Sequence, residues 1–196
     1  MKNAFYISFV FLILIFSCKS SNTSDLNKLE EIDAQKSAEL ITQILQEESN
    51  GFLSSSCITE KPRAISYPMV SDFDEYVKNI LKIEDTVHYN LQSHLYKNFK
   101  LTADLVSNKT IMTQEQFEEF EKKSENGGFS FWNWLETNCE NGYSSISKPI
   151  FNETFDLAYV QLGTVCGGLC GGGEERIYEL INGKWIQKEI LGSWIS

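Results

Sequence analysis

The chain has 196 residues, with 17 Lys and Arg against 27 Asp and Glu and a formal net charge of −10. A balance this acidic argues against a sequence-independent nucleic-acid binder, which needs a basic stripe along one face. Hydrophobic residues at 42% and aromatics at 13% exclude a disordered chain and leave enough apolar side chain for one real core.

In chain order, the first element is the apolar run from Ala4 to Ser17, 14 residues without a charge. A helix needs about 20 apolar residues to span a bilayer. The run follows Lys2 and reads as a secretory signal over residues 1–17, not as a membrane anchor. Ile15-Phe16-Ser17-Cys18 resembles a bacterial lipobox, whose Cys is acylated and opens the mature protein; Phe16 stands where a small residue is usual. The resemblance implies lipidation at Cys18, and Lys19 in place of Asp implies the outer membrane. The alternative is an ordinary signal peptide cut near Ser17 or Ser20. Removing residues 1–17 takes away Lys2 and no acid, leaving 16 basic against 27 acidic residues. Residues 18–24 are small and polar and read as a tether, with residues 25–196 as one domain.

Residues 25–50 carry Leu26, Leu29, Ile32, Ala38, Ile41 and Leu45 at helical spacing, with Ser24 or Asp25 as a cap and Gly51 as a terminator. A loop-rich connector over 52–70 holds Cys57. A short helix follows from a Ser71 cap, with Phe73, Val77, Ile80 and Leu81 on one face. The stretch from Thr86 to Leu95 fits a strand or a helix; Asp85 as a cap favours the helix. Thr113-Gln114-Glu115-Gln116 is a capping box opening a helix with Phe117 and Phe120 inward, ended by Asn126-Gly127-Gly128. Phe131 to Leu135 starts another helical turn or two.

From Ser147 the period changes. Pro149 to Phe151, Leu157 to Val165, Arg176 to Ile181 and Lys184 to Ile190 read as antiparallel strands. Asn182-Gly183 is the strongest hairpin signal among them. Helices first and strands last predict an α+β domain, helices packed on a C-terminal antiparallel meander.

The chemistry is sparse. Six glycines between Gly163 and Gly173 invite a phosphate loop, but no Lys-Ser or Lys-Thr follows, the next element is a strand, and Glu174-Glu175 would repel an anion. Besides Cys18 there are four cysteines, Cys57, Cys139, Cys166 and Cys170, which allow three pairings. Two bridges, Cys57–Cys139 and Cys166–Cys170, are the preferred reading for an exported chain. Thiol exchange at Cys166 and Cys170 is a rival, although Cys-x₃-Cys is not the thioredoxin spacing. So is zinc held by these cysteines with Cys57, Cys139, His88 or His94. His88 and His94, six apart, fit no helical metal pair, and Asp85 as an orienter of His88 competes with Asp85 as a plain cap. Phe131, Trp134 and Leu135 form a core face, which leaves Trp132 outward as a candidate binding residue with His88 and His94.

Ser147-Lys-Pro-Ile-Phe151, Cys166-Gly-Gly-Leu-Cys170-Gly-Gly-Gly173, Asn182-Gly-Lys-Trp185 and Trp194-Ile-Ser196 resemble a group of lipoproteins and secreted proteins of Bacteroidota-type bacteria. Asp85-Thr-x₅-Gln92 is similar as well. The likeness spans about a third of the chain and implies compartment and a C-terminal sheet, not an activity. The resulting expectation is a lipid-anchored envelope protein that binds or supports an envelope protein or glycan. It has no cofactor, no metal, no catalytic residue and no nucleic acid partner. The alternative is a small periplasmic thiol-exchange or metal-binding protein built on the Cys166/Cys170 segment.

Overall fold

The structure is a computed structural model that describes residues 21–63, 73–106, 108–125 and 127–196. The expected signal peptide, the Cys18 lipidation site and the Ser71 cap lie outside the described residues. The described chain falls into two units that divide after Gln35. No helix among the described residues is long and apolar enough to cross a membrane.

The elements run α1 (Ser21–Glu47), β1 (Cys57–Thr59), α2 (Phe73–Leu81), α3 (Thr86–Lys97), β2 (Thr110–Met112), α4 (Gln114–Glu125), α5 (Phe131–Asn138), β3 (Tyr143–Ile146), β4 (Ile150–Phe151), β5 (Leu157–Gly167), β6 (Cys170–Ile181) and β7 (Lys184–Ile195). Helices lie mainly N-terminal and strands C-terminal, so the class is α+β. The described strands form one sheet in the order β2-β1-β3-β5-β6-β7, with β4 pairing β5. The sheet is mixed. β1 runs parallel to β2 and to β3, while β3-β5-β6-β7 is antiparallel.

Several local expectations change. α1 already runs at Ser21, so neither Ser24 nor Asp25 caps it, and four residues of the expected tether are helical. It stops at Glu47, and Gly51 closes the turn beyond by donating to the Glu48 carbonyl. The connector contains β1, and β3 precedes the point where the period changes; both are too short to show a period of their own. The strand alternative for 86–95 is replaced by α3, whose Asp85 side chain accepts from the Val87 amide at 2.8 Å. The glycines after Cys170 are strand, not loop, and only Gly168-Leu169 turns the β5–β6 hairpin.

Other signals translate directly. The capping box closes in both directions: Gln116 N–H donates to Thr113 Oγ1 at 3.2 Å, and Thr113 N–H donates to Gln116 Oε1 at 2.8 Å. Asn182 and Gly183 both take positive φ, 51° and 79°, as a two-residue turn between right-twisted strands requires.

Two sides of the sheet are covered differently. The second half of α1 buries Leu40, Ile41 and Ile44, and its Gln43 amide bonds both the N–H and the C=O of Trp185. At its end Glu48 pairs with the buried Arg176 guanidinium, which also binds Glu174 and the Tyr178 hydroxyl. On the other side Val77, Leu81 and Ile83 pack with Ile150, Tyr159 and Ile177. A further cluster joins Met112, Phe117, Phe120, Leu135 and Tyr143 around the Cys57–Cys139 bridge.

Candidate functional site

The cysteines pair as the export reading prefers. Cys57 and Cys139 lie with Cα atoms 5.4 Å apart, and Cys166 and Cys170 with Cα atoms 5.1 Å apart, each pair at bonding distance. The first bridge is buried in the aromatic cluster. The second is exposed and closes the tip of the β5–β6 hairpin, where Gly167 pairs with Cys170 past a bulge.

That tip has an unusual surface. Leu169 is 92% exposed at the turn, held out by a ring of five residues that the bridge closes. Trp132 on α5 is 40% exposed, and its indole lies 3.8 Å from where a Cβ on Gly168 would stand. Its neighbour Phe131 instead turns inward against Phe117 and Phe120. Ile195 is likewise exposed at the end of β7, beside Gly172. The glycines are what allow this packing. A Cβ on Gly173 would strike the Trp194 indole and stand 2.7 Å from the Leu162 carbonyl, and one on Gly171 would reach Trp194 at 3.4 Å. Gly171 and Gly173 therefore leave a bare floor for the Trp194 ring, while Gly172 between them lies against Phe52. The run is not an anion cradle.

The other residues singled out from the sequence scatter. His88 is 2% exposed, and its Nε2–H donates to the Phe151 carbonyl at 2.9 Å, with Phe155 edge-on to the ring. One turn on, Gln92 accepts from the Phe151 amide at 2.9 Å. The two side chains thus bind the edge of β4 that no strand pairs, which removes His88 from the list of binding residues. Asp85 does not orient it. His94 is exposed, beside Asn98 at the end of α3, far in character from any ligand set. Among the described residues no group of three metal-ligating side chains converges. The zinc reading loses its ligands, since Cys57, Cys139, Cys166 and Cys170 are bridged and His88 is committed to Phe151.

Two polar clusters escaped the sequence reading. Ser55 and Ser144 are buried and share a hydrogen bond, and Thr59 meets Ser145 at 2.7 Å. These hydroxyls answer one another and nearby main chain. Lys109, whose ammonium is disfavoured by burial, spends its Nζ–H groups on the Leu53 and Ser55 carbonyls. The second cluster centres on Glu175, 4% exposed on β6. Burial pushes its carboxyl pKa up, only partly opposed by hydrogen bonds from Tyr159 and Gln161. Gln161 in turn accepts from the Tyr96 hydroxyl at 2.8 Å. Tyr96 also lines a shallow cleft with Val77, Lys78, Tyr89 and Ser93, which has room for about one water molecule. No signal in the sequence separates Glu175 from the other 26 acids; strand parity, which puts it opposite Gln161, is what turns it inward.

The hairpin tip is therefore the one place among these where exposed apolar groups and an exposed disulfide meet. Comparison of the chain with protein families, with curated proteins and with solved structures returns no match.

Proposed function

We propose that this is an exported, lipid-anchored binding module of the cell envelope, tethered through Cys18 and contacting an envelope protein or glycan with the β5–β6 hairpin tip. The observation that carries the reading is Leu169, 92% exposed on a disulfide-closed turn with Trp132 beside it. Large apolar side chains held rigidly at a tip suit recognition, because little conformational entropy remains to be lost on contact. Aromatic anchors are the side chains that most often carry an interface. Against an enzyme stands the state of the polar groups: the buried hydroxyls are bonded to one another, and the buried histidine serves β4. The anchor is supported by the lipobox-like Ile15-Phe16-Ser17-Cys18, and burying acyl methylenes at about 0.8 kcal/mol each holds a chain firmly once more than one chain is attached.

The test is photo-cross-linking in intact cells. A benzophenone amino acid replaces Leu169, Trp132 or, as control, Ile181 at the opposite end of β6. Adducts to envelope material concentrated at 169 and 132 are expected. Equal labelling at 181 would sink the reading. Cys18→Ser should move the chain from the membrane fraction to the soluble one, and retention there would remove the lipid anchor.

A further inference from the structure

We infer that the Cys166–Cys170 bridge is a reversible thiol-exchange site whose substrate is a protein dithiol of the thioredoxin type, and that its opening switches the tip. The switching half rests on the reading of this tip as the contact surface.

The two bridges differ in exposure and in the length of chain they close. Cys57 and Cys139 are buried, and their bond spans a sequence separation of 82, tying β1 to the end of α5. Cys166 and Cys170 are both exposed and only four apart. A thiolate must reach a disulfide sulfur before it can attack, so access alone separates them. Opening the tip bridge also leaves the fold intact. β5 and β6 are paired from Leu157–Glu179 to Val165–Gly171, and β3 holds β5 from the other side, so the strands do not need the covalent bond to stay together. What the bond governs is the turn itself. Gly167 and Gly168, freed of it, have no side chain to restrain them, and Leu169 loses its fixed aim at the turn.

The donor supplies the attacking thiolate, so the first step depends on access to the bridge and not on a thiolate held at the tip. One thiolate of the donor attacks the sulfur of Cys166 or Cys170, breaking the bridge and forming a mixed disulfide, and the displaced thiolate takes up a proton. The second donor thiol, deprotonated, attacks its partner sulfur and releases the other cysteine. The donor leaves as a disulfide, and two electrons and two protons stay on Cys166 and Cys170.

The full chain, anchor included and held in mild detergent, is mixed with reduced thioredoxin whose second active-site cysteine is replaced by Ser, so that the mixed disulfide persists. The adduct is mapped by peptide mass. The expected result is an adduct on Cys166 or Cys170, formed at least ten times faster than any on Cys57 or Cys139, with the far-ultraviolet circular dichroism unchanged. Cys166→Ser with Cys170→Ser should abolish it while the chain stays folded. Equal rates at the two bridges, or an adduct only after unfolding, overturn the proposal. Cross-linking from residue 169, before and after reduction with unmodified thioredoxin, separates the two readings. Capture that falls on reduction supports the switch, and capture that does not change overturns it. If the bridge exchanges but residue 169 captures nothing in either state, exchange stands and the contact-surface reading fails.

Discussion

Glu175 and His88 show how one buried polar residue is either an asset or a burden according to its partners. His88 satisfies the Phe151 carbonyl that the sheet leaves unpaired, so His88→Leu strands a buried acceptor and should cost about 1–3 kcal/mol, read from the urea midpoint at unchanged slope. His94→Ala, at an exposed position, should stay within about 0.5 kcal/mol of the parent. A loss at position 94 equal to that at 88 would contradict this division. Glu175 works the other way. Its folded pKa is raised, chiefly by burial, so the folded state holds the proton more tightly than the unfolded one. Stability from this group is therefore lost as pH rises from the unfolded value through the folded one. Glu175→Gln keeps an amide that Tyr159 can address and removes the charge. The variant should melt higher than the parent at neutral pH and level with it near pH 4. Glu60, whose carboxyl is held below its usual range first by the Lys100 hydrogen bond, contributes in the opposite sense, its share present at neutral pH and lost as acid protonates it. A melting curve of Glu175→Gln that parallels the parent at every pH would show Glu175 to be uncoupled from folding.

At the scale of elements, side chains bonded to main chain nearby were the legible part. Thr113-Gln116 and Asn182-Gly183 act within a few residues, so their geometry follows from local chemistry alone. α3 was legible too, because Asp85 selects the helix over a strand pattern that fits equally well. The illegible elements are those whose partners come from afar. β1 and β2 are three residues each and pair in parallel across about 50 residues, leaving no alternation to detect. The glycine run is opaque for the same reason: its meaning lies in Trp194, about 20 residues on, whose indole occupies the space that side chains at 171 and 173 would take. Gly173→Ala must push that ring aside and should cost about 1–3 kcal/mol, with Trp emission moving to the red as the indole gains water. Gly142→Ala should be worse, since φ is 77° there and the added carbon would meet main chain alone, at Val165 and Cys166, and more closely than the Leu162 carbonyl stands at Gly173. An Ala at 173 that leaves both melting and emission unchanged would dissolve the account of the glycines. The outer edge of β7 follows the usual protection of a free edge, with two bulges and Lys184 and Lys188 along a 12-residue strand.

Over the whole molecule the two bridges differ in the span of chain they close, and stability measurements separate their contributions without knowledge of any partner. A cross-link stabilises largely by restricting the unfolded chain, and the restriction grows with the logarithm of the ring closed. The separation of 82 residues between Cys57 and Cys139 corresponds to about 4–5 kcal/mol, and the separation of 4 between Cys166 and Cys170 to about 2 kcal/mol. A domain of this size commands roughly 5–15 kcal/mol in all. Replacing Cys57 and Cys139 by Ser should therefore bring the chain near the limit of folding, the more so because the bridge sits in the cluster of Met112, Phe117, Leu135 and Tyr143 and leaves two hydroxyls there. Replacing Cys166 and Cys170 should lower the urea midpoint modestly and leave the slope alone, since the surface exposed on unfolding hardly changes. The signature that matters is the ratio. A tip bridge worth as much as the buried one would be a staple of the fold, and a dithiol could not open it without loss of the protein. A tip bridge worth half as much or less is free to open and close on a standing scaffold, which is the condition any exchange at the hairpin must meet.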